Sequence, residues 1–307
     1  MDEPAARFRA DLEALTGGAP ERFGVAVSGG PDSLALLLLA HAAYPGRVHA
    51  ATVDHGLRPE GAAEAAFVAA ICGSRDIPHA TLPARMTETS NIQAAARAHR
   101  YALLTQWIGE IDAPFVATAH HLDDQAETLV MRLARGAGLA GLSGIRAVNA
   151  PIVRPLLGWR REELAALVVE AGISPITDPS NADERFDRVR VRRHLAEAAW
   201  LDPRSLARSA GALEQASEAM DWMVERLRAE RVEGTPAGFT LDAADLPAEL
   251  QRRLLLSILG AMGRPSPRGE EVARLLATLG AGGMATLAGV KCAGGALWHF
   301  TPAPPRR

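Results

Sequence analysis

The chain has 307 residues, of which 48% are apolar and 22% charged, and a formal net charge of −3. These values describe a globular protein long enough for two domains, and they exclude both a disordered chain and a uniformly basic nucleic-acid binder. No run reaches the ~18–20 apolar residues of a membrane-spanning helix, and the start, MDEPAARFRADLEAL, lacks the basic-then-apolar order of a secretory leader. Cys72 and Cys292, the only cysteines, are too isolated for a disulfide framework or a paired-cysteine zinc site. The expectation is a cytoplasmic protein.

The first 120 residues alternate short β-rich runs with helical ones. Gly24–Ser28 predicts a buried strand, and the following DSLALLLLAHAA a helix. Val48–Asp54 predicts a second strand, with an alanine-rich helix GAAEAAFVAAICGS behind it. HATLP is a weaker third strand. SNIQAAARAHRYALLTQWIGE is a helix with Ser90 or Asn91 as its N-cap. Pro114–Ala119 is a further strand, and LDDQAETLVMRLARG a helix closed by Gly136. The alternation predicts an α/β fold, a doubly wound parallel sheet with both faces covered. Such sheets bind ligands at the carboxyl ends of their strands, which is where Ser28, Asp54 and His120 fall.

Beyond Gly136 the texture changes. GAGLAGLSGI is glycine-rich, VRPLLGW reads as a short strand and turn, and REELAALVVEAG as a helix. A long helical stretch is expected from Val191 to Arg231, then short helices and two strands near Ala285–Val290 and Ala296–Phe300. The expected division is a catalytic domain with a trailing linker helix over 1–209 and a smaller, mainly helical domain over 210–307.

The segment SGGPDS carries the first chemistry. Gly29 and Gly30, on a tight turn entering a helix, let backbone N–H groups approach an anion, and the helix dipole favours negative charge there. Two glycines alone fit an ordinary strand–helix turn equally well. The segment matches neither G-x-x-x-x-G-K-[ST] nor G-x-G-x-x-G. The missing lysine disfavours γ-phosphoryl transfer, and Asp32 would repel phosphate unless a divalent cation lies between them. The loop therefore suits Mg-bound pyrophosphate.

The segment HHLDDQAET places Asp124 and Glu127 three apart, on one helix face. Acidic residues in a first turn often only complement the helix dipole, and the same cluster would also suit a Zn or Mn ion. Beside a phosphate loop, the carboxylate pair suits an ammonium group or Mg. Arg97 and Arg100 lie one turn apart in AAARAHRY. RFDRVRVRR, from Arg185 to Arg193, holds five arginines against one aspartate. Within it, Arg188, Arg190 and Arg192 fit phosphate contacts, or else a solvated face paired with Asp183, Glu184 and Asp187.

SGGPDS resembles the pyrophosphate loop of the N-type ATP pyrophosphatases, which cleave ATP between its α and β phosphates. Together with VDHGLRPE, AAARAHRY, ATAHHLDDQAETLVMRLARGAGLAGLSGI, RPLLGWRREEL and DPSNADERFDRVRVRRHL, all in order, it resembles the tRNA(Ile)-lysidine synthetases. The resemblance runs from Val25 to Leu195 and, more faintly, over LPAELQRRLLLSIL. It implies ligation of L-lysine to the wobble cytidine of a tRNA(Ile) with a CAU anticodon, through an adenylated RNA, with release of pyrophosphate and AMP. It implies ATP contacts at Ser28, Gly29, Gly30, Pro31, Asp32, Ser33, Asp54 and His55, with Mg on Asp32. It also implies a catalytic group of Asp32, His120, Asp124, Glu127 and Arg100, and lysine or tRNA contacts at Asp124, Glu127, Arg97, Arg188, Arg190 and Arg192.

Gln93, Val189 and Arg193–His194 depart from the family pattern and are assigned no role. The C-terminal domain is expected to grip tRNA, and the assembly to be a homodimer. Two alternatives stay open: another tRNA-modifying member of the superfamily such as a thiolase, and a non-catalytic adenine-nucleotide-binding module.

Overall fold

The structure, a computed structural model, describes residues 2–54, 60–84, 92–176, 185 and 187–304. His55, Asp183 and Glu184 lie outside the described residues, as do the proposed caps Ser90 and Asn91.

The chain forms two compact units, Met1–Glu214 and Gln215–Arg307. The first opens with α1 (Glu3–Thr16), then alternates β1 (Phe23–Ala26), α2 (Pro31–Ala43), β2 (Val48–Asp54), α3 (Glu60–Gly73), β3 (His79–Pro83), α4 (Ile92–Glu110), β4 (Val116–Ala117) and α5 (Leu122–Ala134). A short helix α6 (Leu139–Leu142) and the strands β5 (Val148–Asn149) and β6 (Ile152–Val153) lead into α7 (Arg161–Glu170). The sheet order is β3-β2-β1-β4-β6-β5. All its pairings are parallel except β5 with β6, a closing antiparallel edge strand.

Period-two alternation explains how both faces of this sheet are filled. Phe23, Val25 and Ala50 enter one apolar layer with Phe8 and Leu12 of α1, Leu34 and Leu37 of α2, Val68 of α3 and Leu164 of α7. Ala51 and Val116 face the other layer, with Leu104, Trp107 and Ile108 of α4. Gly24 belongs to this second face, where a Cβ would lie 2.7 Å from Trp107 Cζ3. The absent side chain is what lets the indole lie against β1.

The long helix expected over 191–231 is two helices, α8 (Asp187–Glu197) and α9 (Pro203–Arg231). The physical reason lies in Asp202 and Pro203. The Asp202 carboxylate accepts from the backbone N–H groups of Arg204 and Ser205, each at 3.1 Å, while proline supplies the first helical position, where no N–H is needed.

The division between the units falls inside α9. The second unit continues with β7 (Val232–Thr235), β8 (Gly238–Leu241), α10 (Ala248–Ala261), α11 (Gly269–Gly280), β9 (Met284–Leu287), β10 (Val290–Ala293) and β11 (Trp298–Pro302). Helices supply the larger share of it, but its strands form a five-stranded antiparallel sheet of order β7-β8-β11-β10-β9. The strand expected near 296–300 is β11, whereas the one expected near 285–290 is β9 and the start of β10, parted by a turn at Ala288 and Gly289, both of positive φ. The short β7 and β8 carry too little alternation to be read in isolation. Leu254, Leu255 and Ile258 of α10, Val272 and Leu275 of α11, and Phe300 of β11 form this unit's own core.

Candidate active site

The site lies in the first unit, at the carboxyl edge of its parallel sheet. There a cavity of about 670 Å³ is lined by Ser28, Gly30, Pro31, Asp32, Ser33, Asp54, Arg100, His120, Asp124, Arg161, Arg188 and Arg192, among others. Its size suits a nucleotide-sized ligand.

The loop after β1 is held by its own serines. The Ser28 N–H donates to Ser33 Oγ at 3.1 Å, and Ser33 Oγ donates to the Gly30 carbonyl at 3.0 Å. Gly29 has φ +84°, and a Cβ there would sit 2.7 Å from Ile176 Cδ1. Its carbonyl accepts from the Ile176 N–H at 2.9 Å. Gly30 is different, an N-cap with ordinary extended φ of −76°. Pro31 then occupies the first turn of α2, so the positive end of that helix faces the cavity.

The two oxygens of Asp32, in the same first turn, differ in their surroundings. Oδ2 lies 3.5 Å from His121 Nε2, whereas Oδ1 is buried without a hydrogen-bond partner among the described residues. Asp32 lines the cavity with its side chain 32% exposed, so a hard carboxylate donor is available there and fits Mg. Among the described residues no three or more His, Cys, Asp or Glu side chains form a metal-holding group.

Two histidines follow β4, and they differ. His120 lines the cavity, its Nδ1 3.2 Å from Thr118 Oγ1. Burial, with Arg154, Arg97 and Arg100 nearby, lowers its pKa to about 3 against the opposing pull of Asp124, so the imidazole is neutral. His121 is 1% exposed. Burial alone would lower its pKa, but Asp123, Asp32 and Asp124 hold it up at about 9. The sequence suggests for His121 only a buried, hydrogen-bonded place and no role in the site; the available signal was its position just ahead of two carboxylates in a helix's first turn.

Asp124 Oδ2 accepts from the His121 backbone N–H at 3.1 Å. Despite burial, its pKa is lowered by His121, Arg188 and His120. Glu127, 2% exposed, is ringed by guanidinium groups: Arg192 Nε at 2.7 Å, Arg188 Nε at 3.1 Å and Arg161 Nη2 at 3.4 Å.

The arginines of α8 separate by helical geometry. Arg188 and Arg192 are four apart and share the cavity face. Arg190, two residues from each, pairs with Asp187 on an exposed flank and is not among the residues lining the cavity. Arg100 lines the cavity, whereas Arg97 is exposed, with Nη2 3.3 Å from the Tyr101 hydroxyl. Arg161 went unassigned in the sequence reading, although it belongs to RPLLGWRREEL. It reaches the site because its backbone N–H donates to Asp123 Oδ2 at 2.8 Å, tying α7 to α5.

A glycine-turned anion cradle at the edge of a parallel sheet, with an aspartate in place of a lysine, defines an ATP-using protein of the PP-loop class. Residues 5–199 match the PP-loop domain family. The chain is 48% identical to the tRNA(Ile)-lysidine synthase of Novosphingobium aromaticivorans, covering 99% of this chain and 95% of that one. It is 42% identical to the tRNA(Ile)-lysidine synthase of Zymomonas mobilis, over 93% and 90% of the two chains. It belongs to the tRNA(Ile)-lysidine synthase family. Among solved structures, the U34-tRNA thiolase NcsA of Methanococcus maripaludis, with its [4Fe-4S] cluster, shares the fold at a TM-score of 0.57 and 19% identity, over 69% of this chain and 79% of that one.

Proposed function

We propose that this chain ligates L-lysine to the wobble cytidine of a tRNA(Ile) bearing a CAU anticodon, using ATP. The observation that carries the reading is the convergence of the SGGPDS loop, His120, Asp124, Arg188 and Arg192 on one cavity, with Glu127 buried behind it against those two arginines, in a chain so similar to its lysidine-forming relatives.

In the first step the cytosine O2 bonds to the α-phosphorus while the bond to the β-phosphate oxygen breaks. Backbone N–H groups of the Gly29–Gly30 turn and the α2 N-terminus stabilise the departing pyrophosphate. Mg held by Asp32 would offset negative charge on the phosphates. His120 stands at the cavity as a neutral imidazole, able to hydrogen-bond a phosphoryl oxygen without adding charge. In the second step the lysine ε-nitrogen bonds to C2 as the C2–O bond breaks and AMP leaves with that oxygen. Asp124 and Glu127 position the amine and receive its proton. Arg188 and Arg192 face the same cavity, placed to contact phosphate. The target base must leave the anticodon stack to reach this depth.

The second unit is assigned to tRNA backbone binding, with an affinity that falls as salt rises. We place the enzyme in the cytoplasm, where its tRNA substrate lies; no helix among the described residues is long and apolar enough to cross a membrane. Light scattering tests the expected homodimer.

The deciding experiment is mass analysis of CAU-anticodon tRNA(Ile) after incubation with ATP and labelled lysine. One lysine added per tRNA, with pyrophosphate released only when tRNA is supplied and AMP only when lysine is supplied as well, supports the reading. Pyrophosphate release indifferent to both, or none at all, overturns it.

A further inference from the structure

Three arginines gather at one phenol on the α4 side of the cavity. The Cζ atoms of Arg97 and Arg100 lie 5.3 and 5.5 Å from the Tyr101 ring centroid. Arg97 Nη2 also donates to the Tyr101 hydroxyl at 3.3 Å. Arg154, just past β6, is 6% exposed and donates from Nη1 to the Arg146 carbonyl at 2.7 Å. Burial would raise the Tyr101 pKa, yet Arg97, Arg154 and Arg100 bring it below the ordinary value. None of the three guanidinium groups forms an ion pair among the described residues. The other cavity arginines differ: Arg161, Arg188 and Arg192 all meet Glu127. A half-buried guanidinium without a counter-charge is costly, so the cluster is suited to an external anion.

The two rims of the cavity favour different phosphates. The SGGPDS loop enters α2, which covers one face of the sheet, while Tyr101 packs with Leu104 and Trp107 of α4 on the other face. Arg100 lines the cavity, and Arg97, about one turn earlier in α4, is exposed. Unpaired positive charge thus runs from the cavity wall out to solvent. A nucleoside triphosphate ends within the cavity, whereas a polynucleotide that delivers one base into it must carry its backbone out over the rim. We propose that Tyr101 is a positioning residue that seats Arg97 and Arg100 against the phosphodiester backbone of the tRNA strand flanking the target cytidine, with Arg154 adding charge from behind. The inference rests on the reading that the chain modifies a tRNA. It gives the first unit its own hold on the RNA, besides the one assigned to the second unit.

Equilibrium binding of a CAU-anticodon tRNA(Ile) is measured without ATP across about 50–200 mM salt, and binding of a non-cleavable ATP analogue is measured without tRNA. Arg97→Gln should weaken tRNA binding about tenfold, the scale of one charge-assisted hydrogen bond. It should also reduce the slope of log affinity against log salt by about 0.7, the share of one phosphate contact on a single strand. Arg97→Lys keeps the charge and should keep the parent slope. Tyr101→Leu should weaken tRNA binding about fivefold through the loss of two guanidinium–ring contacts, while Tyr101→Phe keeps the ring and should stay within about twofold. All four variants should bind the ATP analogue within about twofold of the parent. Thermal melts report the fold, and the exposed Arg97 gives variants that test the site even where a change at Tyr101 unfolds the chain.

Parent affinity and parent slope in Arg97→Gln overturn the proposal. So does a loss of analogue binding that matches the loss of tRNA binding, which would assign the cluster to ATP. A Tyr101→Leu protein that melts and binds tRNA as the parent does removes the positioning role. A parent protein that binds no tRNA overturns the functional reading and this inference together, whereas tRNA binding that is the same in parent and variants overturns this inference alone.

Discussion

Arg192 grips Glu127 with two nitrogens, Nε 2.7 Å from Oε1 and Nη2 3.3 Å from Oε2. The carboxylate assigned to the substrate amine is thus already neutralised by side chains of α8 and α7. An incoming ammonium must share Glu127 with guanidinium groups or displace one of them. Glu127→Gln should therefore do two things. It should raise the lysine requirement of the ligation, and it should destabilise the first unit by ~2–3 kcal/mol, below the fully buried range because the arginines retain about a third of their exposure. Lysine kinetics and a thermal melt check both. Unchanged lysine dependence removes Glu127 from the amino-acid site even if the melt shifts.

The two glycines of the pyrophosphate loop should respond differently to one methyl group. Gly29→Ala must place a Cβ at φ +84° and 2.7 Å from Ile176 Cδ1, so ATP binding should weaken by about tenfold or more, given ~1–3 kcal/mol of local strain. Gly30 has φ −76°, and the nearest atom to a Cβ there, Ser28 Oγ, is 3.7 Å away. Gly30→Ala should bind ATP within about twofold of the parent, as a surface-type change does. Equal losses in both variants would mean that the loop needs bare glycine for ligand approach instead of backbone geometry.

Both thiols should be silent in the native protein. Cys72 in α3 and Cys292 in β10 are fully buried, and burial pushes each pKa up to about 11. Neither should react with iodoacetamide at pH 8, and both should react after unfolding. The double variant Cys72→Ala, Cys292→Ala should still ligate lysine, since sulfur chemistry has no part in the reaction. Loss of activity with the fold intact would favour the thiolase alternative.

In the second unit, Glu249 accepts hydrogen bonds from Arg252 and Arg253, which hold its pKa down at about 2. The folded value lies below the unfolded one, so this carboxylate's contribution is fully present above about 4.5 and is lost as pH falls through about 2. Glu249→Gln should lower the melting temperature at pH 6, and the difference from the parent should close as the pH falls through that window. A gap that stays constant to pH 2 would mean the side chain acts through packing.

Much of the site was legible in the chain because its parts are short and contiguous. SGGPDS and HHLDDQAET each sit at one strand end, and strand–helix alternation is enough to bring such ends to a common edge. The α8 arginines were legible only as a group. Which of them faces the cavity depends on a helix that begins at Asp187, four residues before the expected start, and that phase puts Arg188 and Arg192 on one side and Arg190 on the other. The break before α9 was similarly open to local reading, through Asp202 and Pro203.

Local sequence settled what repeats at short range: the α/β alternation, the glycine turn, the carboxylate pair three residues apart and the paucity of cysteine. Tertiary structure alone decided which charges meet. Glu127 and Arg192 are 65 residues apart in the chain, and Arg161 approaches the same carboxylate across 34 residues. His121 finds Asp32 only because β1 and β4 are neighbours in the sheet. Side-chain periodicity can assign a residue to a face, but charge pairing and protonation depend on distances between faces, and those are set only when the elements pack.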